Sequence, residues 1–99
     1  MARVLLVGSH PEMTRFVATM LRSEGWEVQA AVGPEEGLAA LDRLREVDAL
    51  VIGGPAAFSA RASLIRRLKE RHPFATVVFP TSPDGIGDQI MAALGGEAQ

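Results

Sequence analysis

A short apolar run in the middle of the chain, Ala49–Ile52, constrains the fold more than any other stretch. The run contains no polar side chain, and it ends at Gly53, Gly54 and Pro55. An uninterrupted apolar run predicts a strand that is buried on both faces, in the middle of a parallel sheet. In such folds, binding sites lie beyond the carboxyl ends of the central strands. Gly53 therefore occupies a position at which a reactive side chain is expected, and it carries none.

Apolar strands and amphipathic helices alternate along the rest of the chain. The pattern predicts four strands, at residues 4–7, 26–32, 49–52 and 75–79. A helix follows each strand: the first ends at Gly25, the second begins at Gly33-Pro34, and the last two cover residues 59–71 and 86–94. This order predicts one α/β domain over residues 1–99, a doubly wound parallel sheet with right-handed crossovers. With the most apolar strands in the centre, the expected strand order is 2-1-3-4.

The first helix carries an apolar stripe that is predicted to face the core. Its members recur at helical spacing: Met13, Phe16, Val17, Met20 and Leu21. Ser9 and Glu12 stand three residues apart before this stripe, which predicts a capping box at the start of the helix.

Composition excludes several classes of function. The formal charge is −2, which gives no reason to expect a nucleic-acid partner, and the chain has no cysteine. The basic residues of the third helix have no aromatic residues between them and favour a solvated face (Arg61, Arg66, Arg67, Lys69 and Arg71). Glycine and proline interrupt every apolar segment before it is long enough to span a membrane. We expect a cytoplasmic protein without a membrane or nucleic-acid partner.

Several segments together resemble the receiver domain of bacterial response regulators, which has a flavodoxin-like fold. They cover nearly the whole chain: Arg3-Val4-Leu5-Leu6-Val7, Glu24-Gly25-Trp26-Glu27-Val28, Pro34-Glu35-Glu36-Gly37-Leu38, Asp48-Ala49-Leu50-Val51-Ile52 and Thr76-Val77-Val78-Phe79-Pro80-Thr81. The resemblance implies a phosphorylated aspartate at the end of the third strand, where this chain has Gly53. It also implies an acidic pair after the first strand, which would fall on Gly8 and Ser9 or on Ser9 and His10. Thr81 matches the hydroxyl residue of the family, whereas its fifth strand, with a lysine, and its fifth helix have no counterpart here.

These departures predict that the chain cannot accept a phosphoryl group. Magnesium in phosphoryl-transfer sites is held by carboxylates, and Gly8, Ser9 and Gly53 provide none. We therefore expect no cofactor, no metal site and no enzymatic activity. The predicted function is that of a pseudo-receiver, meaning a receiver-like module that acts through protein contacts in signalling without being phosphorylated.

A small-ligand or anion-binding domain is the alternative prediction. Backbone amides and hydroxyls near the carboxyl ends of the strands could hold a phosphate or a carboxylate. The candidate residues are Ser9, His10, Gly53, Gly54, Thr81 and Ser82. Helix capping by Ser9 and chain turns at the glycines are the favoured explanation of these residues. The Ser9-His10 pair has no evident carboxylate behind it, which argues against a serine hydrolase.

The fourth strand is predicted to be an exposed edge of the sheet. Its residues show no polar alternation and are expected to be buried on both faces: Thr76, Val77, Val78 and Phe79. An edge without charge is open to pairing with another chain. We expect either a homodimer or another protein partner at this edge, unless the last helix covers it.

Overall fold

The protein is described by a computed structural model that covers residues 2–53, 58–80 and 85–95, without the side chains of Phe58 and Ser59. Within these ranges, one parallel sheet has the strand order β2-β1-β3-β4. Its strands are β1 (Arg3–Gly8), β2 (Glu27–Val32), β3 (Ala49–Ile52) and β4 (Thr76–Val78). The helices are α1 (Pro11–Ser23), α2 (Pro34–Arg43), α3 (Phe58–Arg71) and α4 (Ile86–Ala93). The predicted fold class and strand order are confirmed.

The helices cover both faces of the sheet in pairs. Alternate residues of the central strands point to opposite faces, so Leu6 and Val51 belong to one core and Leu5 and Leu50 to the other. The first core includes Val17, Ala18 and Leu21 of α1 and Ile86 and Ile90 of α4. The second includes Ala40 and Leu41 of α2 and Leu64 and Leu68 of α3. All four residues of β3 are buried, as its apolar run predicts.

The turn between α1 and β2 is a helix-ending motif that the sequence indicates. Gly25 has φ of 101°, in the left-handed region that favours glycine. Its N–H donates to the carbonyl of Arg22 at 3.0 Å, and the N–H of Trp26 donates to that of Leu21 at 3.1 Å. This pair of bonds is the Schellman arrangement, and it directs the chain from the helix into β2.

The start and the buried face of α1 differ from the prediction. The N-cap residue is His10, without a side-chain capping bond, because Pro11 begins the helix and leaves Ser9 one residue too early. The predicted capping box is therefore wrong. The buried face consists of Thr14, Val17, Ala18 and Leu21.

Two members of the predicted α1 stripe lie largely in solvent. Met13 is 50% exposed and Phe16 is 60% exposed, so their predicted burial is wrong. Ala18 and Thr14 are small, which lets this side of the helix approach the sheet more closely than the side with Met13 and Phe16 could.

The prediction that β4 is buried on both faces is also wrong. Val78 is buried, Thr76 and Val77 are half-buried, and Phe79, which follows the strand, is 44% exposed. In the described sheet, β4 pairs with β3 and forms one edge. Helix α4 packs on a face of the sheet, where Ile86 and Ile90 join Val78 in the core. No described helix is long and apolar enough to cross a membrane.

Candidate functional site

Gly8 and Gly53, two of the positions at which the resemblance implies carboxylates, lie side by side at the carboxyl ends of β1 and β3. Val7 is in register with Ile52, and the N–H of Gly53 donates to the carbonyl of Val7 at 2.9 Å. The backbone therefore brings Gly8 and Gly53 together as the fold predicts. Neither residue can bind a metal or accept a phosphoryl group through a side chain.

Thr14 fills the space in front of Gly8. A Cβ atom at position 8 would collide with the hydroxyl of Thr14 and would lie 3.2 Å from its Cβ. Thr14 is 4% exposed, and its hydroxyl donates to the carbonyl of His10 at 2.7 Å. The hydroxyl is thus held in place by the first turn of α1. An aspartate at position 8 would require Thr14 to move.

The space beside Gly53 is different. Apart from Gly53 itself and its two neighbours in the chain, no described residue has an atom within 4 Å of a Cβ placed at this position. The φ angle of Gly53 is outside the positive region, so an L-residue would not be strained there. The described surroundings would therefore accept a side chain at position 53.

The predicted anion-binding residues are only partly brought together within the described ranges. Ser9 and His10 are exposed and lie at the start of α1, close in sequence to Gly8. Gly54, Thr81 and Ser82 lie outside the described residues. A helix N-terminus alone does not make a site, and small-anion binding stays a prediction.

Two aspartates that could act as acids, bases or metal ligands, Asp42 and Asp48, are bonded to arginines elsewhere in the fold. Asp48 lies at the amino end of β3, where its carboxylate accepts the N–H of Arg3 at 2.8 Å. Asp42 in α2 binds Arg67 at 2.6 Å and Arg71 at 3.0 Å in α3. The hydrogen bond from Arg67 is the main reason that the pKa of Asp42 is lowered, with Arg71 adding to the effect. Among the described residues, no group of three histidine, aspartate or glutamate side chains could hold a metal ion.

These contacts also occupy much of the basic surface of α3. Arg67 and Arg71 bind Asp42, and the guanidinium of Arg61 lies over the ring of Phe79 at 5.4 Å from its centroid. The sequence did not identify Asp42 or Thr14 as partners. For Thr14, one signal was present: a small polar residue beside the apolar stripe, in the first turn of α1 and six residues after Gly8.

No protein-family model matches the chain. The transcriptional regulatory protein TrcR of Mycobacterium tuberculosis is 30% identical over 94 residues, or 95% of this chain. The chain spans 36% of the length of that relative.

The receiver domain of the hybrid histidine kinase CckA superposes with a TM-score of 0.73 at 18% identity. The match covers 94% of this chain and 99% of that one. The chain has the receiver fold. A chain from the crystal structure of the histidine kinase ThkA in complex with the response regulator protein TrrA also matches this receiver-fold domain, with a TM-score of 0.65 at 19% identity. That match covers 80% of the receiver-fold domain and 67% of the other chain.

Proposed function

We propose that this receiver-fold domain is a pseudo-receiver that acts through protein contacts in bacterial signalling without being phosphorylated. One observation carries the proposal: the adjacent positions Gly8 and Gly53 carry no carboxylate, and Thr14 occupies the space in front of Gly8.

Phosphoryl transfer to an aspartate requires a nucleophile and a counter-charge. Magnesium supplies that charge when carboxylates hold it, and electrostatic stabilisation provides most of the catalysis in such reactions. Here the acceptor is missing at Gly53, and neither Gly8 nor Ser9 supplies a carboxylate to hold the metal. The exposed hydroxyl of Ser9 does not replace a carboxylate, because it brings no negative charge to the metal.

A receiver fold that lacks the reactive side chains can still bind other proteins through its surface. The structural neighbour from the ThkA–TrrA complex comes from an assembly of a histidine kinase with a response regulator. The sequence relative is a transcriptional regulatory protein. Both favour a role in regulation, and we assign this chain the part of a binding module rather than an enzyme.

The test is the response to a phosphoryl analogue. We expect the amide NMR spectrum of the domain to remain unchanged on addition of beryllofluoride and magnesium, or of acetyl phosphate. A receiver domain with an intact acidic site serves as the positive control. The variant Gly53→Asp is the matched control: it restores an acceptor without the acidic pair, so we expect no magnesium-dependent change there either. Magnesium-dependent shifts around Gly8 and Gly53 in the unmodified protein would overturn the proposal.

A further inference from the structure

The two outer edges of the described sheet differ in whether charged side chains bond to their outward backbone groups. The N–H of Glu27 in β2 donates to the carbonyl of Ala2, and the N–H of Gly33, just after β2, donates to the carbonyl of Gly8. The backbone N–H and carbonyl groups of the odd-numbered residues of β2 therefore point toward β1. Val28 and Val32 therefore direct their backbone groups outward. The guanidinium of Arg22 donates to the carbonyl of Val28 at 2.9 Å, and the carboxylate of Glu36 accepts the N–H of Val32 at 2.9 Å. Two charged side chains thus occupy an outward carbonyl and an outward N–H of β2, and a pairing strand would have to displace them.

The outer edge of β4 has no such protection among the described residues. The N–H of Thr76 donates to the carbonyl of Asp48 at 3.0 Å. The backbone N–H and carbonyl groups of Thr76 and Val78 therefore point toward β3, and those of Val77 point outward. Because a trans peptide places its N–H and carbonyl on opposite sides, the carbonyl of Ala75 and the N–H of Phe79 also point outward. The N–H of Ala75 is already bonded to His72 at 3.0 Å. No charged residue lies between Ala75 and Pro80.

We propose that a second copy of this chain pairs with the β4 edge in antiparallel orientation, with Val77 at the two-fold axis. The inference rests on the proposed function, since it names the partner of the interaction module. In this register the two Val77 residues exchange both of their N–H···O bonds, and each Phe79 N–H reaches the carbonyl of Ala75 in the other copy. The arrangement uses the outward donors and acceptors from Ala75 to Phe79 and satisfies them in both copies at once.

Two further features favour a second copy. Head-to-tail pairing of β4 with the β2 edge of another molecule would have to displace Arg22 and Glu36, whereas the two-fold pairing of β4 with β4 displaces no such bond among the described residues. The strand residues from Ala75 to Phe79 carry no charge, so the two paired strands meet without like-charge repulsion between their own side chains.

The exposed apolar area near Val77 limits the size of the dimer interface. Phe74 is 100% exposed and Phe79 is 44% exposed, and both lie within three residues of Val77. An aromatic side chain buries about 150–250 Å² at most, so two aromatics and a short strand from each copy give a total interface on the order of 1,000 Å². That area lies at the low end of specific interfaces and predicts a weak, concentration-dependent dimer.

The first experiment uses the unmodified protein. Between about 10 μM and 1 mM, a range suited to a weak interface, sedimentation should show a shift from monomer to dimer. Amide NMR signals of Val77 and Phe79 should move over the same range, and that of Ala30 on the other edge should not. A monomer throughout, or shifts centred on α1, would overturn the two-fold β4 dimer. Either result would leave the proposed pseudo-receiver function intact, because that is tested by the response to beryllofluoride.

Cysteine crosslinking fixes the register. The chain contains no cysteine. In a hydrogen-bonded antiparallel pair the two Cα atoms lie about 5.5 Å apart, within the range of a disulfide. The variant Val77→Cys should form a disulfide-linked dimer under mild oxidation, and Gln29→Cys on β2 should not. Val77→Pro, which removes the outward N–H and no bond to β3, should raise the dissociation constant about tenfold or more. Equal crosslinking of the two cysteine variants would contradict the register.

Discussion

The imidazole Nε2 of His72 lies 3.0 Å from the carbonyl oxygen of Leu41 in α2. A carbonyl can only accept, so Nε2 carries the proton and donates it. Leu41 is in the last turn of α2, where carbonyls have no partner within the helix. His72 therefore caps the buried end of α2 from the residue that follows α3.

We expect His72→Ala to lower the free energy of unfolding by about 1–3 kcal/mol, since it leaves a buried carbonyl unsatisfied. Urea denaturation measures the change. His10→Ala is the matched control, because His10 is exposed and makes no side-chain capping bond, and it should have little effect. Equal stabilities of the two variants would show that the His72 bond does not form.

The Asp42 cluster should make stability depend on pH in the acid range. The pKa of Asp42 is lowered from 3.8, chiefly by the hydrogen bond from Arg67. The carboxylate of Asp42 therefore binds a proton less readily in the folded protein than in the unfolded chain. The stabilisation is therefore fully present above about pH 4 and is lost as the pH falls through the lowered value. Comparison of the unmodified protein with Asp42→Asn by urea denaturation should show a difference at neutral pH that shrinks below pH 4.

The same comparison in an Arg67→Ala background provides the control. Most of the pH-dependent difference should disappear there, because Arg67 supplies the largest part of the effect. High salt should also reduce the difference, since the groups are exposed to solvent. A difference that is independent of both Arg67 and pH would contradict this account.

The contact between Gly8 and Thr14 predicts a coupled pair of substitutions. Gly8→Ala should lower the free energy of unfolding by about 1–3 kcal/mol, because the new methyl group collides with the Thr14 hydroxyl. Adding Thr14→Ala should restore part of that loss. Gly53→Ala is the control, and it should change stability by no more than about 1 kcal/mol. Additive effects of the Gly8 and Thr14 changes in denaturant unfolding would show that the two side chains do not meet.

The buried face of α1 predicts which of its large apolar residues support the fold. Phe16→Ala should change the free energy of unfolding by no more than about 0.5 kcal/mol, since Phe16 is 60% exposed. Leu21→Ala should cost about 2–5 kcal/mol, since Leu21 is fully buried. Thermal and urea unfolding of both variants measure the contrast. A loss at Phe16 that matches the loss at Leu21 would favour the stripe predicted from the sequence instead.

Short-range features of this chain were readable from its residues. The apolar run of β3, the glycine that ends α1 and the alternation of strands and helices depend on neighbours within a few positions, and they predicted the strand order. The identity of Gly53 and its neighbours likewise excluded a carboxylate at the candidate site. These properties follow from local backbone preferences and from which side chains are present.

Long-range choices were decided by the tertiary structure. Two overlapping stripes on α1 share Val17 and Leu21, and periodicity cannot choose between Phe16 and Ala18 as their buried companion. The choice depends on how closely the helix fits the sheet, including the gap that Gly8 leaves for Thr14. The bonds of His72 with Leu41 and of Arg67 with Asp42 join residues 31 and 25 positions apart, and no local pattern specifies them. The residue types alone thus determined what this site lacks, and the packing of helices on the sheet determined what fills its place.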